Sequence, residues 1–331
     1  MSDPDDLTVR LLDGEEARLL VELIRRCYGE TYIDPSFYDE VGVRGRLESG
    51  ELSSIGAFTE SGDLVGHMGI TRRSWGGNTA DAGMTLVDPA HRGRGIARQV
   101  AVGLAERSIA MGLVGVHDYP VTVHGATQRL AKGYGTDMGL MLANMPGDVS
   151  FEDMETDASA ARTSSLVRWL PFGRAPARDV VVPPIYADCI RTLYEEALLS
   201  RTMLAPEEAD LAAATELETR IDQRRRIVRF TVGRSGVDLV DQVAGGLEEA
   251  RGVVVAHIDL PLADPSTPSA TEALRGRGFF FSALLPEYHD GDVLRLQWLE
   301  PSVRVAEAEV VARDATRAIE AYVVEDRASL D

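Results

Sequence analysis

Chemistry is most legible in Arg92-Gly93-Arg94-Gly95-Ile96-Ala97, a glycine turn between an apolar stretch and a helical one. Glycine lets backbone N–H groups approach a ligand with no side chain between. A helix opening at Ile96 adds its unsatisfied first-turn donors and the positive end of its dipole. The segment is an anion-binding device, and a phosphate suits it. It is not a P-loop, because no Lys-Ser or Lys-Thr follows either glycine, and it is not a dinucleotide fingerprint, because Arg98 stands three positions after Gly95. Histidine is the other residue type with chemistry near neutral pH. His117, beside Asp118 in an apolar stretch, is a candidate proton acceptor or substrate ligand, with a hydrogen-bonded structural role as the alternative. No His/Cys/Asp/Glu spacing reads as a metal site, so no metal is expected.

The elements around the turn must aim it. Leu7 to Leu12 alternates as a strand, and Ala17 to Ile24 carries helical spacing at Leu20, Leu23 and Ile24. An aromatic segment, Cys27 to Tyr32, leads to a second helix start at Pro35. Ser54 to Thr59 and Leu64 to Thr71, joined by Glu60-Ser61-Gly62-Asp63, read as a hairpin, and a third strand runs through Met84 and Val87 into the glycine turn. The helix from Ile96 to about Met111 sets Ile96, Val100 and Leu104 on one face, and Leu113 to Thr122 reads as a strand parallel to the third. A doubly wound fold would place its glycine turn after the first strand; three antiparallel strands come first here.

Arg92-x-x-Gly95-x-Ala97 after a Val-Asp-Pro strand end resembles the acyl-CoA pyrophosphate motif of the GCN5-related N-acetyltransferase (GNAT) superfamily. The stretch His124 to Gly135, with Thr127-Gln128 and then Gly133-Tyr134, resembles that family's second motif, a helix ending in Gly-Phe or Gly-Tyr. The resemblance covers roughly residues 7 to 146. It implies a mixed α/β (α+β) sheet in the GNAT acyl-CoA N-acyltransferase fold, with two parallel strands that splay to receive the thioester. It also implies that backbone at Leu86 and Val87 holds the pantetheine arm, that Arg92, Gly93, Arg94, Gly95, Ile96 and Ala97 hold the pyrophosphate, and that Gln128 flanks the cofactor. Many members use a strand Glu as base and a helix Tyr as thiolate acid. Here Asp81 stands nearest the first role, His117 is a second candidate, and Tyr134 is the aromatic nearest the second, since Arg129 and Leu130 occupy the usual helix position.

The chain has 331 residues, 44% hydrophobic and 26% charged, which suits about two domains. Cys27 and Cys189 match no disulfide or redox pattern. No apolar run reaches membrane length and the start is acidic, so a cytoplasmic location without membrane association is expected. A net charge of -19 argues against a nucleic-acid partner and makes an amine substrate the better fit; a homodimer is left open.

Residues 149–178 read as a linker: acidic residues give way to Ala/Ser/Thr and then to a basic, proline-bearing stretch. The second half restarts with helices from Ile185 and from Pro206 to about Gln223. Strand Ile227 to Val232, helix Val237 to Glu249, strand Val253 to Leu260, helix Ser269 to Arg275, two strands, and a closing helix Val305 to Val323 follow. Leu274-Arg275-Gly276-Arg277-Gly278-Phe279 repeats the second motif, but no Arg-x-x-Gly-x-Ala accompanies it. The expected organisation is an acyl-CoA-binding domain over 1–148, the linker over 149–178 and a degenerate GNAT-like domain over 179–331. The expected function is acyl-CoA-dependent, most simply acetyl-CoA-dependent, N-acyl transfer to a small-molecule amine. The alternative is a catalytically inactive fold that binds CoA or a metabolite as a sensor or partner.

Overall fold

The computed structural model describes residues 7–73, 77–123, 125–130, 134–147, 161–206, 211–306 and 314–330. The first half opens with strand β1 (Thr8–Leu11) and helices α1 (Ala17–Tyr28) and α2 (Glu40–Glu48). The Asp13 carboxylate accepts from the Glu15 N–H at 2.9 Å while Glu16 accepts from the Asp13 N–H at 3.1 Å. That reciprocal cap starts the helical segment. Leu20, Leu23, Ile24 and Cys27 then bury one face of α1.

Strands β2 (Leu52–Phe58), β3 (Leu64–Thr71) and β4 (Thr79–Val87) pair antiparallel in sequence. Helix α3 (Ile96–Ala110) crosses over to β5 (Gly115–Asp118), which lies parallel to β4. Both follow the expected order. A Cβ on Gly66 would sit 2.3 Å from Ile96 Cγ2, so the glycine in β3 is what lets the first turn of α3 lie against the sheet. The β4–β5 register covers Thr79–Ala82 against Gly115–Asp118, after which Gly83–Val87 continue along β3 alone. The two parallel strands therefore part at Ala82, just ahead of the glycine turn. Met84 marks the divergence with φ 55, and the buried His67 locks it: Nδ1 donates to the Met84 carbonyl at 3.0 Å and Nε2 accepts from Ser54 Oγ at 2.9 Å.

A short helix α4 (Ala126–Leu130) precedes β6 (Thr136–Met145) and β7 (Thr163–Pro171). Strand β7 corrects the linker expected over 149–178. It lies between β5 and β6, with Trp169 and Leu166 buried. Residues 164–170 are all buried, and Leu166, Val167, Trp169 and Leu170 supply the apolar side chains of a strand covered on both faces. The arginines of the basic stretch are paired with the fold: Arg168 Nε donates to Asp137 at 2.8 Å, Arg162 Nε to the Ala143 carbonyl at 2.7 Å, and Arg178 grips Glu287 at 2.6 and 2.7 Å. The expected linker residues 149–160 lie outside the described residues, as does His124.

The second half comprises β8 (Arg178–Val181), α5 (Ala187–Glu196), β9 (Arg201–Leu204), β10 (Glu216–Asp222), β11 (Ile227–Arg234), α6 (Leu239–Glu249), β12 (Val255–Pro261), α7 (Thr267–Arg275), β13 (Phe280–Leu285), β14 (Val293–Leu299) and α8 (Asp314–Ala328). The helix expected from Pro206 to Gln223 is a strand where its end is described. Leu217, Thr219 and Ile221 alternate with charged residues, as an exposed edge strand does. The closing helix is also displaced, to Asp314–Ala328.

Among the described residues the main sheet has 12 strands in the order β1-β2-β3-β4-β5-β7-β6-β13-β14-β12-β11-β10. Read from its centre outward the order is nearly palindromic, with β6 meeting β13, β7 matching β14, β5 matching β12 and β4 matching β11. The two halves join edge to edge at Gly139 opposite Ala283. A Cβ on Gly139 would lie 2.1 Å from the Ser282 carbonyl, so this contact admits only glycine. Gln297 stitches the seam: Nε2 donates to Leu140 O at 2.9 Å and Oε1 accepts from Leu142 N–H at 2.9 Å. Helix α8 covers β6 and β13. No helix among the described residues is long and apolar enough to cross a membrane.

Candidate active site

The glycine turn adopts the form its sequence requires. The Asp88 carboxylate accepts from the Ala90 N–H at 2.9 Å and is held by Arg26 Nε at 2.6 Å, which fixes the turn after β4. Gly93 and Gly95 have φ of 78 and 76, and space beside both is open. Gly95 caps α3, Ile96 is buried as the peg against Gly66, and Gly93, Arg94 and Gly95 are exposed. No acceptor among the described residues takes the N–H groups of Gly93, Arg94, Gly95, Ile96 and Ala97. Five consecutive donors without an acceptor among the described residues thus stand at the start of a 15-residue helix. Ala97 is half-buried, and Arg92 lies near Cys27 and Tyr28 on α1. Leu86 is buried; the Val87 carbonyl is taken by the Cys27 thiol at 3.5 Å.

The parallel register places Asp81 beside His117, so both side chains share one face of the sheet. Between them comes Arg73, from the segment after β3. Its Nη2 donates to Asp81 Oδ1 at 2.6 Å and to His117 Nδ1 at 2.8 Å, and its Nη1 donates to Thr79 Oγ1 at 2.8 Å. Tyr119, two residues past His117 on the same face, donates its hydroxyl to Asp81 Oδ1 at 2.9 Å. The ring of Tyr288, from the β13–β14 turn of the second half, lies 4.0 Å under the Arg73 guanidinium and edge-on to His117 at 5.4 Å. The Asp81 side chain retains 30% exposure while that of Arg73 retains 3%. The carboxylate is the part of this cluster that faces outward.

The electrostatics separate the candidates. His117 is fully buried against Trp169 and Tyr288, and burial, then the Arg73 and Arg295 guanidiniums, hold its imidazole well below the ordinary range. Nδ1 accepts from Arg73, so the ring proton sits on Nε2. A buried, neutral imidazole whose basic nitrogen is already taken anchors Arg73 and is not placed to collect a substrate proton. Burial, then the Asp81 carboxylate, raises the Tyr119 phenol well above its usual range, so it stays protonated at neutral pH. Tyr134 is 67% exposed and has no contact with this cluster among the described residues. Gln128 is buried, and Nε2 donates to the Val121 carbonyl at 3.1 Å, steadying the chain beyond β5.

Arg73, Tyr119 and Tyr288 escape a reading of the sequence. Tyr119 carries a usable signal, since it shares strand parity with His117; Arg73 and Tyr288 carry none, because they arrive from a loop and from the other half of the chain. The second half locks its contribution firmly. Glu287 is buried between Arg178 and Arg201, the latter at 2.9 Å, and its carbonyl accepts from Thr79 Oγ1 at 2.7 Å.

Asp118, on the opposite face, has a different character. Burial raises its carboxyl to about 6, because Arg168 lies 4.0 Å away and bonds Asp137 instead. Between the unfolded value near 3.8 and about 6 the folded chain holds a proton that the unfolded chain has released. Stability therefore falls as pH rises through that window. Asp118→Asn is expected to raise Tm by a few degrees at about pH 7.5, on the order of 1–3 kcal/mol, and to lose that advantage near about pH 4. Melting curves of both proteins across this range check it.

Residues 17–119 match the family model described as acetyltransferase (GNAT) family. No curated protein matches the chain. Similar solved structures include yncA from Salmonella typhimurium with its cofactor acetyl-CoA, at 15% identity, covering 52% of this chain and 97% of that one with a TM-score of 0.42. An N-acetyltransferase from Staphylococcus aureus Mu50 is 14% identical, covering 51% and 99% at a TM-score of 0.39. The spermidine/spermine N-acetyltransferase SpeG from Vibrio cholerae is 13% identical, covering 51% and 94% at a TM-score of 0.39. The turn, the parted strands and the family match agree: over residues 17–119 the chain carries a domain of the acetyltransferase (GNAT) family.

Proposed function

We propose that the chain transfers an acyl group, most simply acetyl, from acyl-CoA to the amine of a small molecule. The observation that carries this is the opening between β4 and β5, with the donor-rich turn at its end and the Asp81–Tyr119 pair on its wall. The pyrophosphate would rest on the N–H groups of Gly93 to Ala97, with Arg92 and Arg94 beside it, and the pantetheine arm would run along the unpaired edge at Leu86 and Val87. The acceptor amine enters as an ammonium drawn to the Asp81 carboxylate, which Arg73 orients through its 2.6 Å bond.

Asp81 Oδ2, which takes no hydrogen bond among the described residues, receives the proton of the ammonium directly or through a water. The freed nitrogen attacks the thioester carbonyl carbon, the C–N bond forms, the C–S bond breaks with its electron pair passing to sulfur, and the second surplus proton on the nitrogen leaves to solvent water, giving the neutral amide. Tyr119 gives its phenolic proton to the thiolate. The proton on Asp81 then returns to the tyrosinate across their 2.9 Å contact, and the pair is reset. In this scheme His117 is a positioning residue that holds Arg73, and Tyr288 fixes the other face of that guanidinium. We further propose that the first domain extends through Pro171, and that the second half is a GNAT-like repeat without a cofactor turn, whose β13–β14 loop closes the acceptor side.

The test is release of free thiol from acetyl-CoA and longer acyl-CoAs with a panel of small amines. Amine-dependent release is expected. Tight acyl-CoA binding with no release above the amine-free rate would instead favour a non-catalytic sensor.

A further inference from the structure

The second half repeats the strand–helix–strand step of the first, with β11, α6 and β12 in the places of β4, α3 and β5. In the first half that step sets an acid, Asp81, beside His117. In the second it sets a base, Arg229, beside His257. The charge at the matching position is inverted.

His257 is fully buried, and both of its ring nitrogens lack a hydrogen-bond partner; the buried Nε of Arg229 lacks one too. The carboxylate on this face of β12 bonds a different partner. Asp259, two residues along β12 on the same face, is held by Arg295 through bonds of 2.6 and 2.7 Å; it acts on Arg229 through its charge but makes no hydrogen bond with the Arg229 Nε. Arg225 adds positive potential at His257, and its own acid, Asp222 at the end of β10, lies 3.6 Å away. His289 is the other titratable group near Asp259. Each orphaned polar atom costs about 1–3 kcal/mol, and protein interiors rarely leave two on one ring. Arginines at 225, 229 and 295 repel a cation, whereas an anion could accept from the guanidinium and from the imidazole together.

We propose that Arg229 and His257 form a second binding site, for the oxyanion group of a small molecule, carboxylate or phosphate, distinct from the glycine turn of the first half. Arg229 presents the planar fork, and His257 donates a ring N–H to the same group. The site stands apart from the acyl-transfer reading, since it uses none of the same residues.

Isothermal titration of the full chain, freed of CoA, with inorganic phosphate and separately with succinate decides it. At least one is expected to bind with a Kd of about 1 mM or tighter, and the two arms tell which oxyanion is preferred. Arg229→Gln is expected to weaken binding at least about tenfold, or 1.4 kcal/mol. His257→Gln should do the same; if that buried variant misfolds, Arg229→Gln, at a half-buried position, decides alone. Gly95→Glu should leave this binding intact. No heat from either anion, or binding unchanged by Arg229→Gln, would overturn the site and leave a buried water as its occupant. Binding lost in Gly95→Glu would assign the anion to the turn instead.

Discussion

Gly95→Glu is expected to abolish acyl-CoA binding while the protein stays folded. The expectation rests on place and charge. Gly95 caps α3 with φ 76, space beside it is open, and the N–H groups from Gly93 to Ala97 have no acceptor among the described residues. A glutamate there sets a carboxylate over the donors that a pyrophosphate would occupy, so affinity should fall at least about a hundredfold, near 3 kcal/mol. Left-handed backbone at a non-glycine residue costs about 1–2 kcal/mol, so Tm should drop by a modest amount with cooperative melting preserved. Gly95→Asn is the companion variant. Asparagine tolerates this backbone and adds no charge, so it should retain most of the affinity. Titration calorimetry with acetyl-CoA reads both, and affinity in Gly95→Glu within threefold of the parent would defeat the cofactor assignment.

Asp81→Asn should lower kcat by about 10²–10⁴ with little change in acyl-CoA affinity. The amide oxygen can still accept from Arg73 and Tyr119, whose bonds to Asp81 are 2.6 and 2.9 Å, so the geometry survives while proton acceptance is lost. Tyr119→Phe should lower kcat as well. Combined with Asp81→Asn it should add little, because the two act as one proton circuit. His117→Gln separates holder from base: it loosens Arg73 and shifts KM for the amine, but should leave far more activity than Asp81→Asn. Steady-state kinetics on the amine found by the thiol assay make the comparison. Activity in Asp81→Asn within tenfold of the parent would move the base elsewhere.

Local patterns predicted the first half well. Alternation and turn residues mark β2 and β3, and helical spacing at Ile96, Val100 and Leu104 marks α3 because those residues pack on the sheet. The glycine turn was legible because φ 78 and 76 are conformations that favour glycine. The failures have a common cause. Arg162, Arg168 and Arg178 look solvated along the chain, yet Ala143 and Asp137 on β6 and Glu287 in the β13–β14 turn bond or neutralise them. Pro206 opens a helical reading that runs to about Gln223, yet the free edge of β11 recruits Glu216 to Asp222 as a strand.

The anion-binding turn, the hairpin that leads to it and the parallel return are written in residues close together along the chain. Their physics is local: backbone preference, apolar period and helix caps. The pairing of Arg73 with Asp81 and His117, and the Tyr288 ring that braces it, come from folding two halves of the chain against one another. So does the neutral state of His117, which no spacing could disclose, because burial and the guanidiniums of Arg73 and Arg295 impose it. Strand register and the neutralisation of buried charge are settled between residues far apart in sequence, and only the assembled sheet decides which carboxylate faces the opening and which histidine is sealed behind it.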